Sequence, residues 1–234
     1  MTLTIDERQT IWDTFCRTLT SDVNPTVRAK AAEALGKLGN PTFTPILLDA
    51  LADRSPLVRH TVIQSLGKIG STAAIPALIA TLTEENSELS TAAALALGEL
   101  RAEAAIPALL QTLTAPTPSI RSSGAAALGQ IGSPTAVPAL LAAWQIESDS
   151  TAIAQIIDAL AAIMARDDTS NQQIQTIAKQ IVTRSTNSKL RQSAVILLGK
   201  IALADSIPDL LELLKDPDIN VVQSAIEALG NAAA

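Results

Sequence analysis

Four arginines and three aspartates recur at fixed spacing, and they have the greatest capacity for chemistry in this sequence. Arg28, Arg59, Arg121 and Arg191 occupy equivalent positions of a repeated segment, while Asp22, Asp53 and Asp216 each stand fourteen residues before a repeated glycine. A guanidinium makes paired hydrogen bonds to a carboxylate, whether that carboxylate belongs to the same chain or to something bound. One reading is a ladder in which Arg and Asp satisfy loop groups between neighbouring repeats. The other is a row of contacts to an anionic ligand or an acidic partner. The ladder is the assignment adopted for Asp22, Arg28, Asp53, Arg59, Arg121 and Arg191.

The other reactive side chains are isolated. His60 is the only histidine. It could exchange a proton near ordinary pH, but a solvent-facing helical position accounts for it without catalysis. With no second histidine, a His-based metal cluster within one chain is excluded. Cys16 is the only cysteine, so neither an internal disulfide nor a cysteine metal cluster can form. No local base activates its thiol, and packing in a terminal cap beside Trp12 and Phe15 is expected. Glu84-Glu85 and Asp167-Asp168 suit solvated helix–loop junctions better than a general acid–base pair. No catalytic residue and no metal site is assigned. Trp144, one of two tryptophans, is a candidate partner anchor, with packing against a neighbouring irregular repeat as the other reading.

What must position these residues is a segment that returns every 31 residues. Leu-Gly occurs at Leu35-Gly36, Leu66-Gly67, Leu97-Gly98 and Leu128-Gly129, then at Leu198-Gly199 and Leu229-Gly230. A period of this length means stacked units, none able to bury its apolar face alone. One unit opens at Asp53-Arg54-Ser55-Pro56, with Ser55 as the expected N-cap and Pro56 at the first helical position. Val58, Val62, Leu66 and Ile69 form an apolar stripe, and Gly70 closes the helix. A second helix is expected from about Thr72, with Pro76 in its first turn, matched by Pro45, Pro107, Pro138 and Pro208. The in-phase glycines are expected to let adjacent helices approach closely.

Seventy residues separate Gly129 from Gly199, eight more than two periods. The chain is therefore expected to comprise a capping helix within 1–21, regular units, an irregular repeat or insertion over 146–187, and C-terminal repeats over 188–234. Helices are expected at about 150–165 and 171–183, joined by Arg166-Asp167-Asp168-Thr169-Ser170, with a longer tolerated turn as the favoured account of the extra residues.

Equivalent positions across the units form columns. One runs Glu33, Gln64, Leu95, Ala126, Ile196, Glu227; its neighbour runs Lys37, Lys68, Glu99, Gln130, Lys200. If they face outward they offer a mildly apolar centre with polar borders, which suits protein recognition. Lys37, His60, Gln64, Lys68, Leu95, Glu99, Ala126, Gln130 and Trp144 are the candidate partner-binding residues.

Composition agrees. Of 234 residues 47% are hydrophobic but only 2% aromatic, so the core must be built from Leu, Ile, Val and Ala. The net charge of −6 and the absence of a basic run argue against nucleic acid. No stretch reaches membrane-spanning length, no signal peptide is recognisable at the N-terminus, and a cytoplasmic location is expected.

The segments Val27-Arg28-Ala29-Lys30-Ala31-Ala32-Glu33-Ala34-Leu35-Gly36-Lys37-Leu38-Gly39 and Ile120-Arg121 through Gly132, with Pro76-Ala77-Leu78 and Pro107-Ala108-Leu109-Leu110, resemble the HEAT-repeat family. They are most similar to its short version in the phycobilisome lyase HEAT-like group. The resemblance implies an all-α fold, a right-handed α-α superhelix (HEAT-like solenoid) of about six to seven helical hairpins. It leaves two functions open. One is a non-catalytic scaffold or assembly adaptor with a protein partner and no cofactor. The other is a bilin lyase subunit or phycobilisome assembly or degradation factor. That role would involve a phycobiliprotein or a second HEAT-like subunit, and phycocyanobilin or another linear tetrapyrrole. No residue cluster carries over as a lyase catalytic site.

Overall fold

The computed structural model describes residues 4–166, 171–201 and 206–233, and every regular element among them is helical. The chain divides into two compact units, Met1–Thr112 and Leu113–Ala234. The first holds α1 (Ile5–Ser21) and three hairpins: α2 (Pro25–Leu38) with α3 (Thr44–Ala50), α4 (Pro56–Ile69) with α5 (Ile75–Thr81), and α6 (Ser87–Glu99) with α7 (Ile106–Thr112). The second holds α8 (Pro118–Ile131) with α9 (Val137–Ile146), α10 (Ser150–Met164) with α11 (Asn171–Arg184), α12 (Ser188–Lys200) with α13 (Ile207–Glu212), and then α14 (Ile219–Ala233). The all-α repeat architecture expected from the 31-residue period is the one observed.

Local chemistry explains the boundaries. α1 begins with a capping box: the Glu7 amide donates to the Thr4 hydroxyl at 3.2 Å and the Thr4 amide to the Glu7 carboxylate at 2.8 Å. Asn24, Asn86, Asp149 and Asn187 cap α2, α6, α10 and α12 through their side-chain oxygens. Ser55 departs from expectation. It holds the N-cap position of α4, but its hydroxyl makes no cap bond; instead its amide donates to the Asp53 carboxylate at 2.8 Å. The second helices open through a 3-10 turn, as at Thr72–Ala74, so Pro76 falls in the first turn of α5, where a missing amide costs nothing.

Gly39, Gly70 and Gly132 end α2, α4 and α8 with φ of 63°, 76° and 77°. Arg101, 31 residues after Gly70, takes the same left-handed turn with φ 46° and carries a Cβ into it.

Two leucine columns make the core. Leu35, Leu66, Leu97, Leu128 and Leu198 on the first helices are fully buried, as are Leu47, Leu78, Leu109, Leu140 and Leu210 on the second. Each such side chain stabilises by roughly 1.5–3 kcal/mol relative to exposure. Successive first helices pack side by side: α2 on α4 and α4 on α6 in one unit, α8 on α10 and α12 on α14 in the other. The glycines permit this approach. A Cβ on Gly36 would stand 2.6 Å from the Ser65 Cβ, and one on Gly129 2.6 Å from the Ala159 Cα.

The extra residues of the irregular repeat enter as helix, not as the longer turn expected. α9 has 10 residues and α11 has 14, against 7 in each of α3, α5 and α7. Asp167 to Ser170 of the expected link lie outside the described residues.

Candidate functional site

The recurring arginines sit one turn inside α2, α4, α8 and α12, and each reaches back to the turn before its own helix. Arg28 donates to the Asp22 carbonyl at 2.8 Å, Arg59 to the Asp53 carbonyl at 2.9 Å, Arg121 to the Ala115 carbonyl at 2.8 Å, and Arg191 to the Ser185 carbonyl at 3.0 Å. Three of the four also grip a carboxylate in the next repeat's turn with both remaining guanidinium edges. Arg28 holds Asp53 at 2.7 and 2.8 Å, Arg121 holds Glu147 at 2.6 and 2.8 Å, and Arg191 holds Asp216 at 2.8 Å twice. Each carboxylate in turn accepts backbone amides, from Ser55, from Ser148 and Asp149, and from Asp218.

This hydrogen bonding keeps the acids ionised. The Arg121 guanidinium lowers the Glu147 carboxyl from its usual 4.5 to about 2 despite burial. Arg28 and Arg191 likewise hold Asp53 and Asp216 below the usual range. The guanidiniums are consumed and largely buried, so the alternative of a row of external anion contacts fails at Arg28, Arg121 and Arg191. Asp22 is held only within its own turn, accepting the Asn24 amide at 2.8 Å. Arg59 makes no ion pair among the described residues: an acid, Glu84, stands at the equivalent place, but it is exposed and does not meet the guanidinium. Glu147 stands fourteen residues before Ala161, the same place in its repeat as the aspartates, but 26 rather than 25 residues after Arg121, and no Leu-Gly marks its repeat.

The outward columns produce a groove in the first unit. His60, Gln64 and Lys68 on α4 face Leu95 and Glu99 on α6 across a cleft of about 160 Å³, with Thr91, Ala92 and Ala96 completing the wall. Leu95 is 40% exposed, so it is a surface residue. In the second unit Ala126 and Gln130 on α8 border a separate cleft of about 220 Å³ with Gln155, Asp158 and Arg166. Arg166 donates to the Gln130 carbonyl at 2.9 Å. Lys37 lies on the exposed side of α2 and pairs with Glu33 at 2.7 Å. Lys30 pairs with Glu33 as well, and together the two lysines hold its carboxyl at about 2.

Trp144 must be removed from the candidate partner contacts. It is fully buried, and its indole N–H donates to the Ser193 hydroxyl on α12 at 2.8 Å. Its register is that of buried Leu82 and Leu113, 62 and 31 residues earlier, so it packs inside the stack. Cys16 is half-buried on α1, close to where the Trp12 ring meets Phe43 edge-on at 5.6 Å. Burial, with Asp13 adding to it, pushes the Cys16 thiol up, opposite to what a nucleophile needs.

Among the described residues, no group of three or more His, Cys, Asp or Glu could hold a metal ion, and no helix is long and apolar enough to cross a membrane. Spacing analysis also missed a third groove, between α10 and α12, which includes Ile153, Lys189 and Ile196. Ile196 belonged to a column already, but the irregular repeat that forms the opposite wall has no regular counterpart.

Comparison with solved structures places the geometry in context. The complex of CpcE and CpcF of phycocyanin lyase from Nostoc sp. aligns over 100% of this chain and 95% of its own, with 21% identity and a TM-score of 0.59. A chain of the AP-3 complex, known as a homology model, aligns over 99% of this chain but 46% of its own, with 18% identity and a TM-score of 0.68. An engineered protein aligns over 95% of this chain and 68% of its own, with 22% identity and a TM-score of 0.53. At these identities the likeness is one of fold. No curated protein matches the sequence significantly. The model of HEAT repeats matches residues 13–97, 76–161 and 175–233, and the chain therefore belongs to the HEAT-repeat family.

Proposed function

We propose that this chain is a non-catalytic, cytoplasmic protein-binding scaffold or assembly adaptor that engages its partner through the outward face of the first helices. The observation carrying this reading is the α4–α6 groove. There half-exposed Leu95 is ringed by His60, Gln64, Lys68 and Glu99, an apolar contact inside a polar rim. The direct test is Leu95→Glu, with partner capture from the native source and thermal melting measured separately. Lost capture with an unchanged melting curve is expected. Unchanged capture, or a collapse of folding, refutes the assignment.

A second reading makes the chain one subunit of a bilin lyase or a phycobilisome-related factor, acting on a phycobiliprotein together with a second HEAT-like subunit. The full-length fold likeness to the phycocyanin lyase complex supports it. Arg28, Arg121 and Arg191 are committed to internal clasps, so a tetrapyrrole carboxylate would have to use other donors. Co-expression with phycobiliprotein subunits and phycocyanobilin tests this reading. Covalent pigment on the phycobiliprotein, seen by absorption after denaturing gel separation, supports it. Recovery of unrelated partners without pigment transfer refutes it.

A further inference from the structure

The α10–α12 groove has a volume of about 450 Å³, two to three times that of the other two clefts. Where α8 meets α10 and α12 meets α14, Gly129 and Gly199 bring the helices together, and a Cβ at either would stand 2.6–2.7 Å from an alanine of the next helix. On α10 the corresponding position is Ala161, in a Leu160-Ala161 pair that replaces Leu-Gly. Trp144, bonded to Ser193, adds an indole between α9 and α12. The groove thus lies where the repeat carries a methyl in place of the glycine and where an indole bonds α12.

The groove has a definite polarity. Its floor is apolar, formed by Ile153, Ala154, Ile157 and Ile196. The Ser193 hydroxyl is already satisfied, accepting from Trp144 and donating to the Leu190 carbonyl. At one end Lys200 pairs with Asp158 at 2.7 Å, so those charges cancel. At the other end, where both helices begin, Lys189 makes no ion pair among the described residues. From Lys189 to Lys200 the α12 wall rises about 16 Å. The volume is in the range of small-molecule sites, which combine apolar walls with a few polar groups that fix orientation.

We propose that this groove binds a small amphipathic acid, with an elongated apolar body along Ile153, Ile157 and Ile196 and a carboxylate at Lys189. The site is independent of the scaffold reading and shares no residue with the Leu95 groove, so either can fail alone. The test is isothermal titration calorimetry of the full chain with dodecanoate, using dodecanol as the uncharged competitor. The expected result is saturable one-to-one binding, weakened about tenfold or more by Lys189→Glu, as for loss of a charge-assisted hydrogen bond. Ala154→Trp, at an exposed position that admits the larger ring, should fill the groove and abolish binding with the melting temperature unchanged. Absence of saturable binding, equal affinity in the Lys189→Glu protein, or equally effective competition by dodecanol would overturn the proposal. Lys189 is exposed, so its variant decides the question even if Ala154→Trp fails to fold.

Discussion

Replacing Glu147 with Gln tests whether the clasps hold the repeats together or merely decorate them. The carboxylate accepts Arg121 at 2.6 and 2.8 Å and the amides of Ser148 and Asp149 at 2.8 and 2.9 Å, and its side chain is 4% exposed. Its pKa falls from 4.5 to about 2 on folding, a gap equivalent to roughly 3 kcal/mol. Removing one partner of a buried pair costs about 3–5 kcal/mol. The lower end applies because the Arg121 side chain is 17% exposed and keeps its bonds to the Ala115 and Pro116 carbonyls. Glu147→Gln should therefore lower the unfolding free energy at neutral pH by about 3 kcal/mol.

The sign of the pH effect follows from the direction of the shift. A carboxyl whose pKa is depressed by folding contributes its full stabilisation above the unfolded value, here 4.5, and loses it as pH falls towards about 2. The difference between wild type and Glu147→Gln should thus be constant above that window and shrink towards zero through it. Asp53 and Asp216 also have lowered pKa values and weaken both proteins in acid, but they cancel in the difference. Urea unfolding followed by far-ultraviolet circular dichroism across the acid range measures it. A neutral-pH difference below about 0.5 kcal/mol, the level of an exposed pair, or one that persists undiminished in strong acid, would refute the reasoning.

Other substitutions probe separate elements. Gly129→Ala would place a Cβ 2.6 Å from the Ala159 Cα, backbone that cannot step aside, and should cost about 1–3 kcal/mol in thermal or urea unfolding. Arg101→Gly relieves the Cβ at φ 46° and should stabilise the first unit by about 1 kcal/mol by the same assays. Trp144→Phe removes the donor to Ser193 and should cost about 1–3 kcal/mol, leaving partner capture intact because the indole is buried.

The repeat, its helices and its leucine columns were legible because burial in a stacked array imposes one period on every unit. Leu95 could be picked out from its column for the same reason: an apolar residue stood where Glu33 and Gln64 precede it, and the structure leaves it half-exposed. Trp144 stands out as a partner anchor by its rarity alone, whereas its register, shared with buried Leu82 and Leu113, places it inside. The α10–α12 groove was invisible for another reason. It accompanies Ala161 in place of glycine and an indole on another helix, and neither feature is periodic.

The third repeat shows which half of the clasp is the more widespread. Where the period calls for arginine the chain has Ser90, and its hydroxyl donates to the Glu84 carbonyl at 3.0 Å, six residues back. Arg28, Arg59, Arg121 and Arg191 make the same six-residue return. The carboxylate bond, by contrast, is absent at Arg59 and displaced by one residue at Glu147. Tethering to the preceding turn is therefore shared by α2, α4, α6, α8 and α12, met by a hydroxyl as well as by a guanidinium, while α10 and α14 carry Ile153 and Val222 at the same position. The arginine's greater length adds the second bond, which ties one repeat's turn to the next. Arg59 on α4 makes no such tie among the described residues, so acid sensitivity should be lower in the α4–α6 interval than where Arg28, Arg121 or Arg191 reaches an acid. Amide hydrogen exchange through mild acid tests this. Protection in the turn at Asp53–Ser55 and in the turn at Glu147–Asp149 should fall before protection at Glu84–Asn86 changes, and simultaneous loss at all three would show that the carboxylates do not set local stability.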